Sequence, residues 1–486
     1  MDKLKKANDY IEKNKVDYKE LPEFHVAPQV GWINDPNGFS YYEGMVHLFY
    51  QFHPYSKEWG PMHWGHCVSS DLIKWEYYPV ALAPDMKYDM DGCFSGSAIE
   101  TDEGHMLVYT GVTHEENDGK KNEYQNQCVA LGDGKSYKKI ENNPVINGEI
   151  MPQNFSREHF RDPKVWKEDD GYYLVAGNKT NDGKPQVVLF HSKDMYDWRY
   201  VSVLAEDVTG KYGTMWECPD FFEINGQYIL IASPQDMCAD DEFHNGNNSV
   251  YFIGNYDRDM HKFDYNKVYA LDDGIDFYAP QTTLMPDGRR VMIGWMQSWD
   301  SNIRPFKQKW SCMMTVPREI KLIDGRIIQN PVREIKKYYT DSINYVEQTV
   351  EGECSFPKIN GRVLDMTVEI KDGDYDEFKI NFISSLLFKF SSSIIYDKSK
   401  NEIEINRLYS GMNRDTIGTR KVKVRYPKQS LKLRVILDKY SVEIFVNDGS
   451  QVLSMTYYTP VEADEISFEC NNTAVINIEK HGISVR

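Results

Sequence analysis

A turn motif that recurs five times constrains the fold of this chain more than any other feature of its sequence. An acidic residue or Asn is followed by Gly and then by an apolar run, at Glu43-Gly44, Glu103-Gly104, Asp170-Gly171, Asn225-Gly226 and Asp287-Gly288. Such pairs are typical of β-hairpin turns, because glycine supplies the positive φ that these turns require. The glycines are 60, 67, 55 and 62 residues apart, which fits four-stranded propeller blades with long loops.

The repeat predicts an all-β protein with a five-bladed β-propeller over residues 22–335. A second, weaker repeat pairs an Asp with an aromatic residue four positions later and predicts a recurring outer turn; it starts at Asp71, Asp194 and Asp259. Ahead of the propeller, apolar residues at helical spacing predict that residues 1–21 form a helical extension. These apolar residues are Leu4, Ala7 and Ile11.

The pattern changes after a short connecting segment near residues 333–345. Apolar residues then alternate with polar ones, as in Leu431, Leu433, Val435 and Leu437. Alternation of this kind is typical of antiparallel sheets with one buried and one solvated face. Residues 345–486 are therefore predicted to form a C-terminal β-sandwich, which follows the propeller.

The turns also define a set of aligned polar residues. Nine residues before each of the first four glycines stand Asp35, Ser95, Asp162 and Glu217, and Tyr278 stands ten residues before the fifth. In a propeller, the first strands of all blades start at one end of the central channel. Three carboxyl groups are therefore expected to meet in one funnel, and burying them together is costly unless they have a function.

Glycoside hydrolysis uses two carboxyl groups with different affinities for the proton. Asp35 suits the ionised group, because its neighbours Asn34 and Asn37 can donate hydrogen bonds to it. Glu217 suits the proton donor, because its side chain is longer and its neighbours, Trp216 and Cys218, provide an apolar setting. Asp162 follows Arg161, so it is expected to stay ionised and to grip two sugar hydroxyls. A proline one or two residues after each acid favours a rigid turn.

These motifs resemble glycoside hydrolase family 32, which contains invertases, sucrose-6-phosphate hydrolases and fructanases. The matching segments are WINDPNG (32–38), FRDP (160–163), WECPD (216–220), FYAPQ (277–281), GWMQSW (294–299) and VPREI (316–320), with Ile33 where the family usually has Met. The resemblance implies a retaining β-fructofuranosidase with Asp35 as nucleophile, Asp162 as transition-state stabiliser and Glu217 as acid/base. It also implies a C-terminal sandwich and no cofactor.

By the same resemblance, eight residues line the fructose subsite: Asn34, Gln51, Trp59, Phe94, Ser95, Arg161, Tyr278 and Trp295. Phe94 and the two tryptophans are expected to form apolar walls for the sugar. Asn34, Gln51, Ser95 and Arg161 would bond to its hydroxyls. Tyr278 is expected to hold the nucleophile in place.

Two other functions compete with this interpretation. The first is an inverting furanosidase of arabinanase type, which also uses three acids in a propeller funnel. The second is a sugar-binding propeller without catalytic activity. The leaving group stays open among sucrose, sucrose 6-phosphate and short fructo-oligosaccharides. A phosphate would require basic residues near the funnel, and the candidates are Arg157, Arg304, Lys307 and Lys309.

Composition argues against several classes of partner and suits a neutral substrate, such as the small sugar that the motifs indicate. The formal net charge of −18 argues against nucleic acid, since phosphates would be repelled over most of the surface. No apolar run reaches the 18 residues that a membrane span needs. The eight cysteines are scattered without a CxxC pair, and no signal peptide precedes them, so reduced thiols and a cytoplasmic location are expected. Histidines 47, 53, 63 and 66 are assigned to structural hydrogen bonds, and no metal is expected. The oligomeric state is left open.

Overall fold

The computed structural model describes residues 2–117, 120–301, 303, 305, 307–371, 373–385, 389–411, 416–425 and 430–485. Among these residues the one α-helix is α1 (Lys3–Asn14), which buries Ala7 and packs beside the first sheet. Short 3-10 helices lie at Tyr18–Glu20, Gly148–Ile150, Arg333–Tyr338 and Asn447–Gly449. No helix in the described part of the chain is both long enough and apolar enough to cross a bilayer.

Five sheets, antiparallel except for one short edge pair, form the propeller. The first contains β1 (Gly31–Tyr42), β2 (Met45–His53), β3 (His63–Ser69) and β4 (Glu76–Leu82), and the second contains β5 (Gly92–Thr101), β6 (Gly104–Asn117), β7 (Lys120–Gly132) and β8 (Tyr137–Lys139). The third contains β9 (Phe155–Glu168), β10 (Gly171–Thr180), β11 (Pro185–Ser192) and β12 (Trp198–Glu206). The fourth contains β13 (Trp216–Ile224), β14 (Gln227–Pro234), β15 (Val250–Asp257) and β16 (Lys262–Ala270).

The fifth sheet closes the ring against the first. It contains β17 (Tyr278–Leu284), β18 (Arg290–Met296), β21 (Arg318–Ile323) and β22 (Arg326–Pro331). Two short strands lie between β18 and β21 in the chain: β19 (Trp310–Ser311), which joins the first sheet, and β20 (Met313–Met314), which joins the fifth. β19 pairs in parallel with β1, and β20 pairs with β18. The segment that contains β19 and β20 therefore forms backbone hydrogen bonds with the edge strand of the first blade and with the fifth blade.

All five predicted turns join the first and second strands of a blade. Glu43 and Gly44, for example, lie between β1 and β2 with φ values of +45° and +82°. The weaker repeat is confirmed at Asp71 and Asp194, whose carboxylates accept hydrogen bonds from backbone N–H groups of the outer turn. In the fourth blade the prediction of Asp259 is wrong, because the carboxylate of Asp257 accepts these bonds.

The C-terminal part is a β-sandwich. Its strands are β23 (Tyr339–Cys354), β24 (Leu364–Ile370), β25 (Glu377–Ser385), β26 (Phe390–Asp397), β27 (Glu402–Tyr409), β28 (Thr419–Lys423), β29 (Leu431–Asp438), β30 (Ser441–Val446), β31 (Gln451–Thr456) and β32 (Glu465–Ile483). The long strand β32 belongs to both layers, because its first half pairs with β25 and its second half with β24. The prediction of a five-bladed propeller followed by a β-sandwich is confirmed.

One layer of the sandwich is buried on both faces, which the alternation did not predict. Leu431, Leu433, Val435 and Leu437 point into the sandwich core as expected. Ile436 and Phe445 point the other way and join a core cluster of the propeller. The expected solvated face is absent here because the propeller covers it.

Candidate active site

A β-bulge in the first strand of every blade turns polar side chains into the channel. In the fourth blade Glu217 pairs with Ser233 and Asp220 with Ile231, so three steps along β13 match two along β14. Corresponding bulges follow Ile33, Phe94, Arg161 and Tyr278 in the first strands of the other blades. A bulge bends its strand and redirects the side chains beside it, which explains how distant acids converge.

The backbone is strained at the same position of three blades. Asp162, Cys218 and Ala279 have φ values of +64°, +49° and +51°, although none is a glycine. Each is followed by a proline, which has no N–H to lose from the sheet ladder. Left-handed backbone at a non-glycine residue costs about 1 kcal/mol or more and is concentrated at functional sites.

The two aspartates meet at Cys218. Asp35 accepts hydrogen bonds from Asn34 Nδ2 at 3.0 Å and from Ser95 Oγ at 2.6 Å. Asp162 accepts one from the backbone N–H of Cys218 at 2.9 Å. The Cys218 Sγ lies 3.6 Å from an oxygen of each aspartate, so the two carboxyl groups share one thiol. The bond expected from Asn37 to Asp35 is not formed; the Asn37 Oδ1 instead accepts from Gly96 N in the neighbouring blade.

Glu217 is held by three donors. Its Oε1 accepts from Arg161 Nε at 2.9 Å, and its Oε2 accepts from Gln235 Nε2 at 2.9 Å and from the Tyr278 hydroxyl at 2.7 Å. The apolar setting expected from its sequence neighbours is therefore wrong. The prediction that Tyr278 holds Asp35 is also wrong, because the tyrosine lies against the fourth blade, where its hydroxyl donates to Glu217 and also lies 3.0 Å from Ser233 O.

Burial perturbs the proton affinity of both aspartates. Burial raises the pKa of Asp35, and the hydrogen bond from Ser95 opposes this shift. Burial and the charge of Glu217 raise the pKa of Asp162 to about 7. The expectation that Arg161 keeps Asp162 fully ionised is wrong, because the charge of Arg161 only partly offsets burial and its Nε is bonded to Glu217.

These groups line one cavity of about 360 Å³. The lining contains all three predicted acids and six of the predicted subsite residues: Asn34, Gln51, Trp59, Phe94, Ser95 and Arg161. The Trp59 ring is 48% exposed and meets the edge of Phe94 at 5.9 Å between centroids. These two aromatic rings form an open apolar wall at the cavity.

Trp295 does not reach the cavity. Its side chain is completely buried and packs against Trp32, Tyr278 and Trp299. The expected wall is formed by Trp299 instead, four residues later in the same motif. Trp295 lies within β18, whereas Trp299 lies in the turn after the end of that strand, and the sequence motif did not resolve which of the two rings lines the cavity.

The lining also contains residues that no sequence motif indicated: Glu123, Gln125, Glu158, His159, Gln235 and Trp299. Glu123 and Gln125 lie on β7, in a polar stretch without the alternation of apolar residues that would indicate a strand. Gln235 follows β14 and reaches Glu217 only because the blade brings the end of one strand beside the start of another.

The basic candidates for a phosphate site do not line the cavity. Arg157, Lys307 and Lys309 are exposed and absent from its wall. Arg304 lies outside the described residues. Arg161 is therefore the one cationic Arg or Lys side chain among the described residues of the lining.

The histidine-rich segment forms structural contacts. His47 Nδ1 lies 3.1 Å from His66 Nε2, and burial lowers the pKa of His47 to about 4. His53 and His63 bond to the carbonyls of Glu58 and Pro61. Over the residues that the structure describes, no group of three or more His, Cys, Asp or Glu side chains is arranged to hold a metal ion.

Comparison with known proteins identifies the family. The model for the glycosyl hydrolase family 32 N-terminal domain matches residues 25–331, and the model for the family 32 C-terminal domain matches residues 334–483. The chain belongs to glycosyl hydrolase family 32.

Relatives of this family 32 chain cover nearly its whole length. It is 34% identical to a sucrose-6-phosphate hydrolase of Escherichia coli, over 96% of this chain and 93% of that protein. It is 36% identical to a raffinose invertase of Escherichia coli, over 92% of this chain and 91% of that protein. A Bombyx mori family 32 β-fructofuranosidase is similar in structure, with a TM-score of 0.84, 33% identity and coverage of 99% of this chain and 98% of that one. A mutant of the insect enzyme was solved in complex with sucrose.

Proposed function

We propose that this family 32 protein is a retaining β-fructofuranosidase. It releases terminal β-D-fructofuranosyl units from sucrose-type substrates. The observation that carries the proposal is the meeting of Asp35, Asp162 and Glu217, from three different blades, in one cavity with apolar and polar walls. The names of its relatives and the sucrose complex of a similar structure support the choice of substrate class.

The reaction proceeds through a fructosyl-enzyme. Glu217 gives its proton to the glycosidic oxygen while a carboxylate oxygen of Asp35 attacks C2 of fructose, so the leaving sugar departs with a new hydroxyl. Water then attacks C2 and gives a proton to Glu217, and the bond to Asp35 breaks. β-Fructose is released with its configuration retained, and both carboxyl groups return to their starting states.

The surroundings of each acid suit these roles. Ser95 and Asn34 hold Asp35 in a fixed orientation for attack and stabilise its anionic form. Arg161, Gln235 and Tyr278 hold Glu217 at the side where the leaving group departs. Asp162 carries a proton up to about pH 7 in the empty cavity, and hydroxyls of bound fructose would favour its ionised form. The proton is then available to Glu217.

The subsite residues follow from the same arrangement. Asn34, Gln51, Ser95 and Arg161 bind fructose hydroxyls, while Trp59, Phe94 and Trp299 face its apolar surface. Tyr278 orients Glu217, and Trp295 supports Trp299 from behind. We assign no cofactor to this reaction, since two carboxyl groups supply its proton transfer and its nucleophile.

The domain roles are also part of the proposal. Residues 22–335 carry the catalysis, residues 345–486 support the propeller, and residues 1–21 cover the first blade. We further propose a cytoplasmic location and no nucleic-acid partner. All eight cysteines are free, and six of them are buried, which suits a reducing compartment.

The first test is fructose release from sucrose by the purified protein. We expect turnover that the Asp35→Asn variant loses by about a thousandfold or more, because the attacking carboxylate is absent. A sugar-binding propeller would bind sucrose without turnover, and that result would overturn the proposal. The stereochemistry of the product separates the retaining mechanism from the inverting one.

A further inference from the structure

The hairpin of β6 and β7 in the second blade reaches farther than its counterparts. These strands have 14 and 13 residues, while the second and third strands of the other blades have 6 to 10. The extra length brings Glu123 and Gln125 to the wall of the cavity.

Glu123 is fixed beside the catalytic groups by a chain of hydrogen bonds. Its Oε1 accepts from Gln125 Nε2 at 2.7 Å, and its Oε2 lies 3.3 Å from His114 Nε2. The Oε1 of Gln125 in turn accepts from Arg161 Nη1 at 3.4 Å. Because Arg161 bonds to Glu217, this chain extends outward from the acid that protonates the leaving oxygen. Glu123 therefore lies on the side where the leaving group must sit.

The lining holds a second carboxylate, and its one Arg or Lys side chain among the described residues, Arg161, is already paired with Glu217. Glu158 lines the cavity next to His159. Burial and the charges of Arg161 and Lys179 lower the pKa of His159 to about 4, so this ring is neutral at pH 7. Lys179 itself does not line the cavity, and Arg161 is bonded to Glu217.

We propose that Glu123 and Glu158 make this enzyme select neutral leaving groups over phosphorylated ones. Sites for a sugar phosphate present Arg, Lys or backbone N–H groups to its roughly two negative charges. Here a phosphate would meet two carboxylates, one on the partly buried Glu123 and one on the exposed Glu158, and like charges at close range repel. Hydroxyls of a glucosyl or fructosyl leaving group can instead donate to the same carboxylates. This inference rests on the proposed function and specifies its substrate class.

The test compares kcat/KM for sucrose and sucrose 6-phosphate. We expect the wild-type enzyme to prefer sucrose at least tenfold. A double variant with Glu123→Gln and Glu158→Gln should lose at least fivefold of this preference, mainly through faster turnover of the phosphorylated sugar. The Glu115→Gln variant is the matched control, because Glu115 is an exposed acid on the same hairpin and does not line the cavity. It should keep the wild-type preference.

The outcomes separate the two proposals. Equal turnover of both sugars, or preference for sucrose 6-phosphate, would overturn the inference but leave the fructosidase assignment standing. A preference unchanged in the double variant would also overturn it, since these carboxylates would then not cause the discrimination. Turnover of neither sugar would overturn the proposed function and, with it, this inference.

Discussion

At the scale of single residues, the cavity concentrates acids where burial opposes their charge. Burial raises the pKa of both Asp35 and Asp162, and the pKa of Asp162 reaches about 7. An acid with a raised pKa in the folded state lowers stability as pH rises from its unfolded pKa near 4 to its folded pKa. Asp35 and Asp162 therefore reduce the stability of the fold that holds them.

Replacing Asp162 should make the protein more stable and nearly inactive. At pH 8 the Asp162→Asn variant removes a buried negative charge, so we expect its apparent melting temperature to rise by about 1–3 °C. Its kcat/KM for sucrose should fall by about a hundredfold or more, because the bond to the fructose hydroxyls weakens. Thermal unfolding and steady-state kinetics measure the two effects.

The control for this variant is Asp194→Asn. Backbone N–H groups of the outer turn lower the pKa of Asp194, so its charge stabilises the fold. This variant should melt at a lower temperature than the wild type and keep its activity. A lower melting temperature for Asp162→Asn as well would contradict the account of the buried acids.

The pH dependence of catalysis should follow the loss of the proton that the cavity holds on Asp162. Since the cavity holds this proton up to about pH 7, kcat/KM for sucrose should fall as pH rises through about 7. The measurement is kcat/KM from pH 5 to 9 at constant ionic strength. A value that stays flat from pH 6 to 9 would show that the buried proton is not used in the reaction.

The sequence predicted which acids lie in the cavity better than it predicted the hydrogen bonds that these acids accept. The constant offset from the turn glycines located the three acids without any structure. The partner of Tyr278 was missed because the bond to Glu217 crosses from the fifth blade to the fourth. Gln235 and Glu123 were missed for a similar reason, since contacts between blades leave no local pattern in the sequence.

At the scale of elements, the bulges align the site. The bulge of the second blade is held by the first and fifth blades across the channel, because Gly96 N donates to Asn37 and Gly96 O accepts from Gln281. A Cβ added to Gly96 would lie 2.0 Å from Val108 O, so only glycine fits there. The bulge places Ser95 against Asp35.

Substitution of this glycine should therefore affect catalysis. In Gly96→Ala the strand β5 must move away from β6, and we expect kcat/KM for sucrose to fall about tenfold or more as Ser95 shifts from Asp35. The Gly226→Ala variant is the control, because its turn has φ +79° with no atom within 4 Å of the added Cβ. It should lose about 1 kcal/mol of stability and keep its kcat/KM. Equal kinetic losses in both variants would contradict a specific role for the bulge.

The hairpin turns were predictable, whereas the bulges were not. A turn that needs positive φ selects glycine, so its signal is visible in one sequence. A bulge depends on which residues of the neighbouring strand it faces, and proline marked it in only four of the five blades. The turn glycines therefore predicted the number of blades, whereas the bulges that orient the cavity side chains depend on strand pairing and were not predicted.

At the scale of the whole molecule, buried charges join the propeller to the sandwich. His25, from the segment ahead of β1, bonds to Asp438 and Glu443 of the sandwich, and Glu443 also pairs with Arg318 of the fifth blade. Burial alone would lower the pKa of His25, but these hydrogen bonds raise it to about 9. Alternation predicted that this face of the sandwich is solvated. It is instead an interface with the propeller, and it contains buried ion pairs.

Loss of this histidine should weaken the junction between domains in a pH-dependent way. The His25→Gln variant leaves two buried carboxylates with less positive charge, which should cost about 3 kcal/mol of stability. Because the folded pKa lies above the unfolded one, this contribution is complete below about pH 6.5 and is lost as pH rises through about 9. Melting temperatures of both proteins at pH 6, 8 and 10 measure the difference.

His481→Gln is the matched control, because His481 pairs with Glu479, which is 60% exposed. Its effect should stay within about 0.5 kcal/mol at every pH. A difference between wild type and His25→Gln that does not change with pH would contradict a charged His25 at the interface.

The central claim is a fructosyl-enzyme formed on Asp35 with retention of configuration. The most direct measurement is the anomeric configuration of the methyl fructofuranoside formed from sucrose in the presence of methanol, determined by NMR. This product keeps its configuration in solution, unlike free fructose. We expect methyl β-D-fructofuranoside, because methanol takes the place of water in the second displacement. Formation of the α anomer would mean a single inverting displacement and would contradict the account.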